Sequence, residues 1–128
     1  MSVFTWDQIP VTITAEDTQT SAGAALEKEY TVGANKKWLV LGWRVTCSAN
    51  KTLTVRLWKE AANTNLMEEW FTGSSGTTPL SSRGLNAASN YGWCNIEIPA
   101  GATIQFSHAA DGAGQTMKTQ IIYKEAPA

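Results

Sequence analysis

Apolar residues return at every second position through most of this chain, in short runs separated by Gly, Asn, Pro and Ser clusters. Alternation of that period gives a strand one apolar face and one polar face, and helical periodicity is weak throughout. The runs fall at 11–15, 26–32, 38–48, 52–59, 66–71, 93–98, 103–109 and 117–124, with "LMEEWF" at 66–71 also compatible with a helical turn. About eight short antiparallel strands predict an all-β, single-domain sandwich or barrel. Residues 1–10 read as an N-terminal arm and 11–125 as the domain, with a long polar loop at 72–92. Loops of that length are uncommon in compact domains, and this one is a candidate for interaction or an insertion without a role.

At 128 residues the chain can bury a substantial core without metal or disulfide staples. Ten basic and eleven acidic side chains are mixed along it, which excludes the basic stripe of a nucleic-acid binder. No apolar run approaches the length of a membrane-spanning helix. The opening "MSVFTWDQIP" lacks the basic and apolar regions of a secretory signal, so the expected site of synthesis is a cytoplasm, with Cys47 and Cys94 reduced.

The stretch "KKWLVLGWRVTC" is the longest strand candidate. Strict alternation turns Leu39, Leu41, Trp43, Val45 and Cys47 inward and Trp38, Val40, Gly42 and Arg44 outward. The link 49–51 is short enough for a hairpin to the next strand, whose Leu53, Val55 and Leu57 share one face. That hairpin sets Arg44 opposite Arg56 and Gly42 opposite Trp58, gathering Trp38, Arg44, Arg56 and Trp58 into one outer patch. Trp and Arg are enriched at interface centres, so the patch is a candidate protein interface; cover by the chain's own Glu68 or Glu69 is the alternative. Phe4, Trp6 and Ile9 of the arm are further interface candidates, either on a neighbouring subunit or folded back over the sandwich.

Groups for catalysis are sparse. His108 is the one histidine, "GSSG" at 73–76 is not a nucleophile elbow, and one His with two distant Cys gives no zinc spacing. No nucleotide-binding glycine motif is present, so neither an enzyme nor a cofactor is expected. The order Cys47, Trp58, Cys94 suggests an immunoglobulin domain, but Gly92 stands where the tyrosine corner needs Tyr.

The texture of "EKEYTVGANKKWLVLGWRVT", "TLTVRLWKE" and "NIEIPAGATIQF" resembles the jelly-roll decoration, or cement, proteins of tailed bacteriophages. That resemblance implies a jelly-roll-like sandwich on the outside of a phage head, made in the host cytoplasm. It would contact the major capsid protein and sister subunits, commonly as a homotrimer, with no nucleic acid, membrane or cofactor. The alternative is a carbohydrate-binding sandwich, in which Arg83, Asn90, Tyr91 and Trp93 would hold a sugar by stacking and hydrogen bonds.

Overall fold

The structure, a computed structural model, describes residues 5–81, 84–85, 92–110 and 112–128. A short 3-10 turn, Trp6–Gln8, precedes ten strand segments. They are β1 (Ile13–Ala22), β2 (Leu26–Thr31), β3 (Lys36–Cys47), β4 (Thr52–Trp58), β5 (Leu66–Ser74), β6 (Leu80–Ser81), β7 (Gly84–Leu85), β8 (Gly92–Ile98), β9 (Thr103–His108) and β10 (Ala113–Pro127). One sheet, A, runs β1-β10-β3 and is continued beside β3 by β8 along one half and by β6 and β7 along the other. The second sheet, B, runs β2-β9-β4-β5. All pairs are antiparallel.

Leaving aside the two-residue β6 and β7, successive strands alternate between the sheets except at β4 and β5, which form a hairpin in the middle. That winding, with the first strand beside the last, is a jelly roll. The sandwich expected from the alternation is therefore present, with β6 and β7 lying inside the stretch read as a loop. The link 49–51 is not a hairpin. It carries the chain from sheet A to sheet B, so β3 pairs with β10 and β8 while β4 pairs with β5 and β9. A three-residue link serves a hairpin and a crossing equally well, which is why length alone misled. At the other end Gly101, with φ of +82°, makes the turn from β8 to β9 that Pro99 introduces, closed by Ala102 N–H donating to Pro99 O at 3.2 Å.

The core lies between the sheets. Leu53, Val55 and Leu57 of β4 face it, as the alternation predicts, together with Leu26 and Tyr30 of β2. Phe106 of β9 sits at its centre, met edge-on by Tyr30 at 6.1 Å and by Trp43 across the sandwich at 5.8 Å. Edge-to-face contacts of this kind add roughly 0.5–1.5 kcal/mol each beyond the area they bury.

β3 departs from strict alternation. Trp38 and Val40 are buried, and so are Trp43, Val45 and Cys47, while Leu39 and Leu41 are only half-buried and face outward. The cause is a bulge. Val40 pairs with Tyr123 and Gly42 with Ile122, which leaves Leu41 as an extra residue. On the other side the same gap is met by two residues of β8, one of them Asn95 at φ +49°. One inserted residue moves every later side chain to the opposite face. The expectation of Leu39 and Leu41 inward and Trp38 outward is thus corrected. Trp38 stacks on Tyr123 at 4.0 Å, and its indole N–H donates to Glu125 at 2.9 Å.

Candidate assembly surfaces

The single Trp/Arg patch does not form. Trp38 is in the core, Arg44 is on the outer face of sheet A, and Arg56 and Trp58 are on the outer face of sheet B. Arg56 is held by Glu69 of its own chain, Nε to Oε2 at 2.9 Å, the intrachain cover that the sequence left as the alternative. Trp58 lies beside Thr103, and its indole N–H donates to Gln105 at 2.9 Å, helping to bury that side chain. The tip of the β4–β5 hairpin reaches across to β2, where Asn63 donates to Glu29 at 2.8 Å.

That tip is organised by Glu60. Its carboxylate accepts from the backbone and hydroxyl of Thr64 and from the backbone and amide of Asn65, at 2.6 to 3.2 Å. The hydroxyl of Thr64 is the first cause that holds this carboxyl down to about 2. Asn63, beside it, takes a positive φ of 56° to close the turn.

The two long seams between the sheets differ. Along β1 and β2 the inward side chains include Asp17 and Lys28, whose charged groups approach to 3.6 Å between the sheets. Lys28 also lies over the Tyr30 ring at 5.1 Å, and the Tyr30 hydroxyl bonds the Thr119 hydroxyl at 2.7 Å. The other seam, at β5 and β8, is closed by half-buried Trp70, Phe71 and Ile96 packed against the core. Beside it on β5, Leu66 is 49% exposed and Met67 46%. This apolar edge was missed because "LMEEWF" carries two carboxylates and no clean alternation; bulges at Trp70 and Met67 scramble its faces.

The arm folds back on its own sandwich over the described part. Trp6 lies on the outer face of sheet A, its indole N–H donating to Glu97 at 2.7 Å, with Lys37 Nζ 5.7 Å from the ring centroid. Lys124 Nζ donates to the Trp6 carbonyl at 3.2 Å. Ile9 is half-buried. Phe4 lies outside the described residues, as do Arg83, Asn90, Tyr91 and the side chains of Trp93 and Cys94.

Buried polar chemistry gathers at one end of the sandwich. Ser75 Oγ is 2.9 Å from His108 Nε2, and the Gln115 amide nitrogen bonds Nδ1 and donates to Ala109 O at 3.0 Å. An amide nitrogen facing Nδ1 makes Nδ1 the acceptor and leaves the ring proton on Nε2, directed at Ser75. An imidazole in that tautomer cannot take a proton from the serine. Ser75 also bonds the carbonyls of Ala49 and Gly76 and accepts from Lys51 N–H at 3.3 Å, stapling three connections together. Ser75 is 2% exposed and His108 fully buried, so no substrate reaches the pair. Cys47, a free thiol beside it, is pushed up to about 11 by burial, against the opposing effect of its hydrogen bond with Ser75.

Nearby, on the outer face of sheet A, Thr18, Thr46, Ser48, Thr77, Thr116 and Lys118 line an open depression of about 440 Å³. Among the described residues no group of three His, Cys, Asp or Glu is placed to hold a metal ion, and no helix is long and apolar enough to cross a membrane.

No family model matches the chain, and no curated protein matches it. Among solved structures it is similar to a protein of the Bacillus endospore appendages, described as a novel family of disulfide-linked pili. The TM-score is 0.50 at 10% identity, over 97% of this chain and 96% of that one. It also aligns with PliG, a periplasmic inhibitor of g-type lysozyme from Aeromonas hydrophila, at 8% identity over 97% and 93% of the two chains, with a TM-score of 0.35. At such identities the first likeness speaks for the fold: this sandwich is one that a structural appendage protein also uses.

Proposed function

We propose that the protein is a non-enzymatic structural subunit that binds a larger protein lattice. In its sharpest form this is decoration of the outer face of a tailed-phage head, with major capsid subunits and sister copies as partners and a homotrimer as the working unit. The observation that carries the reading is the β5 edge, where Leu66 and Met67 stand about half in solvent beside a seam closed by Trp70 and Phe71. Apolar side chains along a sheet edge are what a partner surface covers. Two things add support: the closest approach to a catalytic pair, Ser75 and His108, is sealed in the core, and an appendage protein is built on a similar fold.

The test is co-sedimentation with phage heads that lack the protein. Wild type is expected to pellet with the heads, and the double variant Leu66→Asp/Met67→Asp to stay in the supernatant with unchanged circular dichroism. Pelleting of the folded variant to the wild-type extent would remove the edge from the interface. A wild type that ignores heads but binds a glycan array would replace this reading with the carbohydrate one.

A further inference from the structure

The seat under Trp6 is built in register. Glu97 of β8, Leu39 of β3 and Lys124 of β10 are cross-strand partners and form one row across the outer face of sheet A. Trp6 straddles this row, with its indole N–H on Glu97 and its carbonyl under Lys124 Nζ. Lys37, on the same strand as Leu39, approaches both the indole ring and, at 3.7 Å, the Glu97 carboxylate. An apolar floor, an acceptor for the indole N–H and an ammonium near the ring are what a tryptophan side chain asks of a site. Leu39, between Glu97 and Lys124 in that row, faces outward because the bulge at Leu41 puts it there.

The hold on the arm is light. The 3-10 turn has no buried residue, and the hydrogen bond to Glu97 is an exposed one. Exposed polar and ionic contacts each favour the docked arm by no more than a few-fold. Between the turn and β1 the chain runs without strand pairing, and Val11 is 65% exposed. The arm starts from the edge strand β1 and must cross β10 to reach β3, two strand spacings or roughly 10 Å. The five Cα steps from Gln8 to Ile13 span at most about 18 Å, enough for the arm to dock on its own sheet.

We infer that this seat accepts Trp6 from a second copy of the chain, so that neighbouring subunits are laced by exchanged arms. The inference rests on the assembly reading for one point only, that copies are brought close together. Every contact at the seat is the same whichever copy supplies the tryptophan, which is the condition for exchange. In dilute solution the tethered arm wins through an effective concentration on the order of millimolar; in a lattice the neighbours' arms compete on equal terms.

Two experiments on the full chain decide it, and neither needs a capsid, so they can fail independently of the proposed function. A synthetic peptide of residues 1–10 is titrated into 15N-labelled Trp6→Ala protein, whose seat is empty. The amides of Lys37, Leu39, Glu97 and Lys124 are expected to shift, with binding about two- to fivefold weaker when Glu97→Gln is added. Unmoved amides at millimolar peptide would overturn the inference. In the second, Ile9, Pro10 and Val11 are deleted, which leaves two Cα steps between Gln8 and Ile13, a reach of about 7 Å and too short for the arm to dock on its own sheet. This chain is expected to be oligomeric by native mass spectrometry and to fall at least twofold in mass when Trp6→Ala is added. A mass that does not respond to Trp6→Ala would also overturn it.

Discussion

The two seams of the sandwich solve one problem in different ways. Both must close the gap between sheets at edge strands that carry free backbone groups. At β1 and β2 the closure is mixed: Ile13 and Ala15 pack against the core, while Asp17 meets Lys28, Gln19 donates to Asp17 at 3.4 Å, and Tyr30 reaches Thr119. At β5 and β8 it is apolar, through Trp70, Phe71 and Ile96, with Leu66 and Met67 left in water. Inward-pointing charge deters a foreign strand, because pairing there would bury an ion pair whose desolvation is costly. The other edge carries charge too, but within one sheet: Glu68, opposite the inward Leu57, accepts from the Trp70 indole, and Glu69 pairs with Arg56. The two flanks thus differ in what lines them, an ion pair between the sheets at one and half-buried aromatic rings at the other.

Perturbing each flank tests that contrast. The largest effect is expected from Phe71→Ala, which removes a half-buried ring from the apolar seam. A loss of about 2–3 kcal/mol in urea unfolding is anticipated, below the range for a fully buried ring. A loss under about 0.5 kcal/mol would mean that the seam is not held by Phe71. Converting the polar seam with Asp17→Val/Lys28→Leu is expected to change stability by no more than about 1 kcal/mol, since the pair is partly exposed. Its consequence is association, seen as concentration-dependent growth in light scattering; a double variant as monodisperse as wild type would deny the charges a guarding role.

The smallest effect concerns the β4–β5 turn beside the open edge. Glu60 has its pKa lowered from 4.5 to about 2, so what it contributes is fully present above about pH 4.5 and lost as the pH falls through about 2. The amides of Thr64 and Asn65 should keep their folded-state NMR shifts down to about pH 3 and change below it. In Glu60→Gln they should already be altered at neutral pH. Titration of these amides near pH 4.5 in wild type would contradict the hydrogen-bonded arrangement.

What could be read in advance follows a physical line. The core faces of β2 and β4 were legible because their alternation is unbroken from Leu26 to Tyr30 and from Leu53 to Leu57. β3 was legible as a strand but not in its facing, since the bulge at Leu41 depends on pairing with β8 and β10 and leaves no mark in the local pattern beyond Gly42. The hairpin at 49–51 and the Trp/Arg patch built on it failed together, because a short link does not reveal which sheet comes next. The seat of Trp6 was out of reach for a different reason. Its acceptor, Glu97, is 91 positions away, and only the winding of the sheets brings the two together.

The same winding has a consequence in time. β1 pairs with β10 alone in its sheet, so it has no partner until β10 leaves the ribosome. At ordinary synthesis speeds that wait is on the order of ten seconds, during which β4 and β5, neighbours in sequence, are already able to form their hairpin. Glu16 and Asp17 lie on that waiting strand of ten residues, where charge works against pairing with another chain.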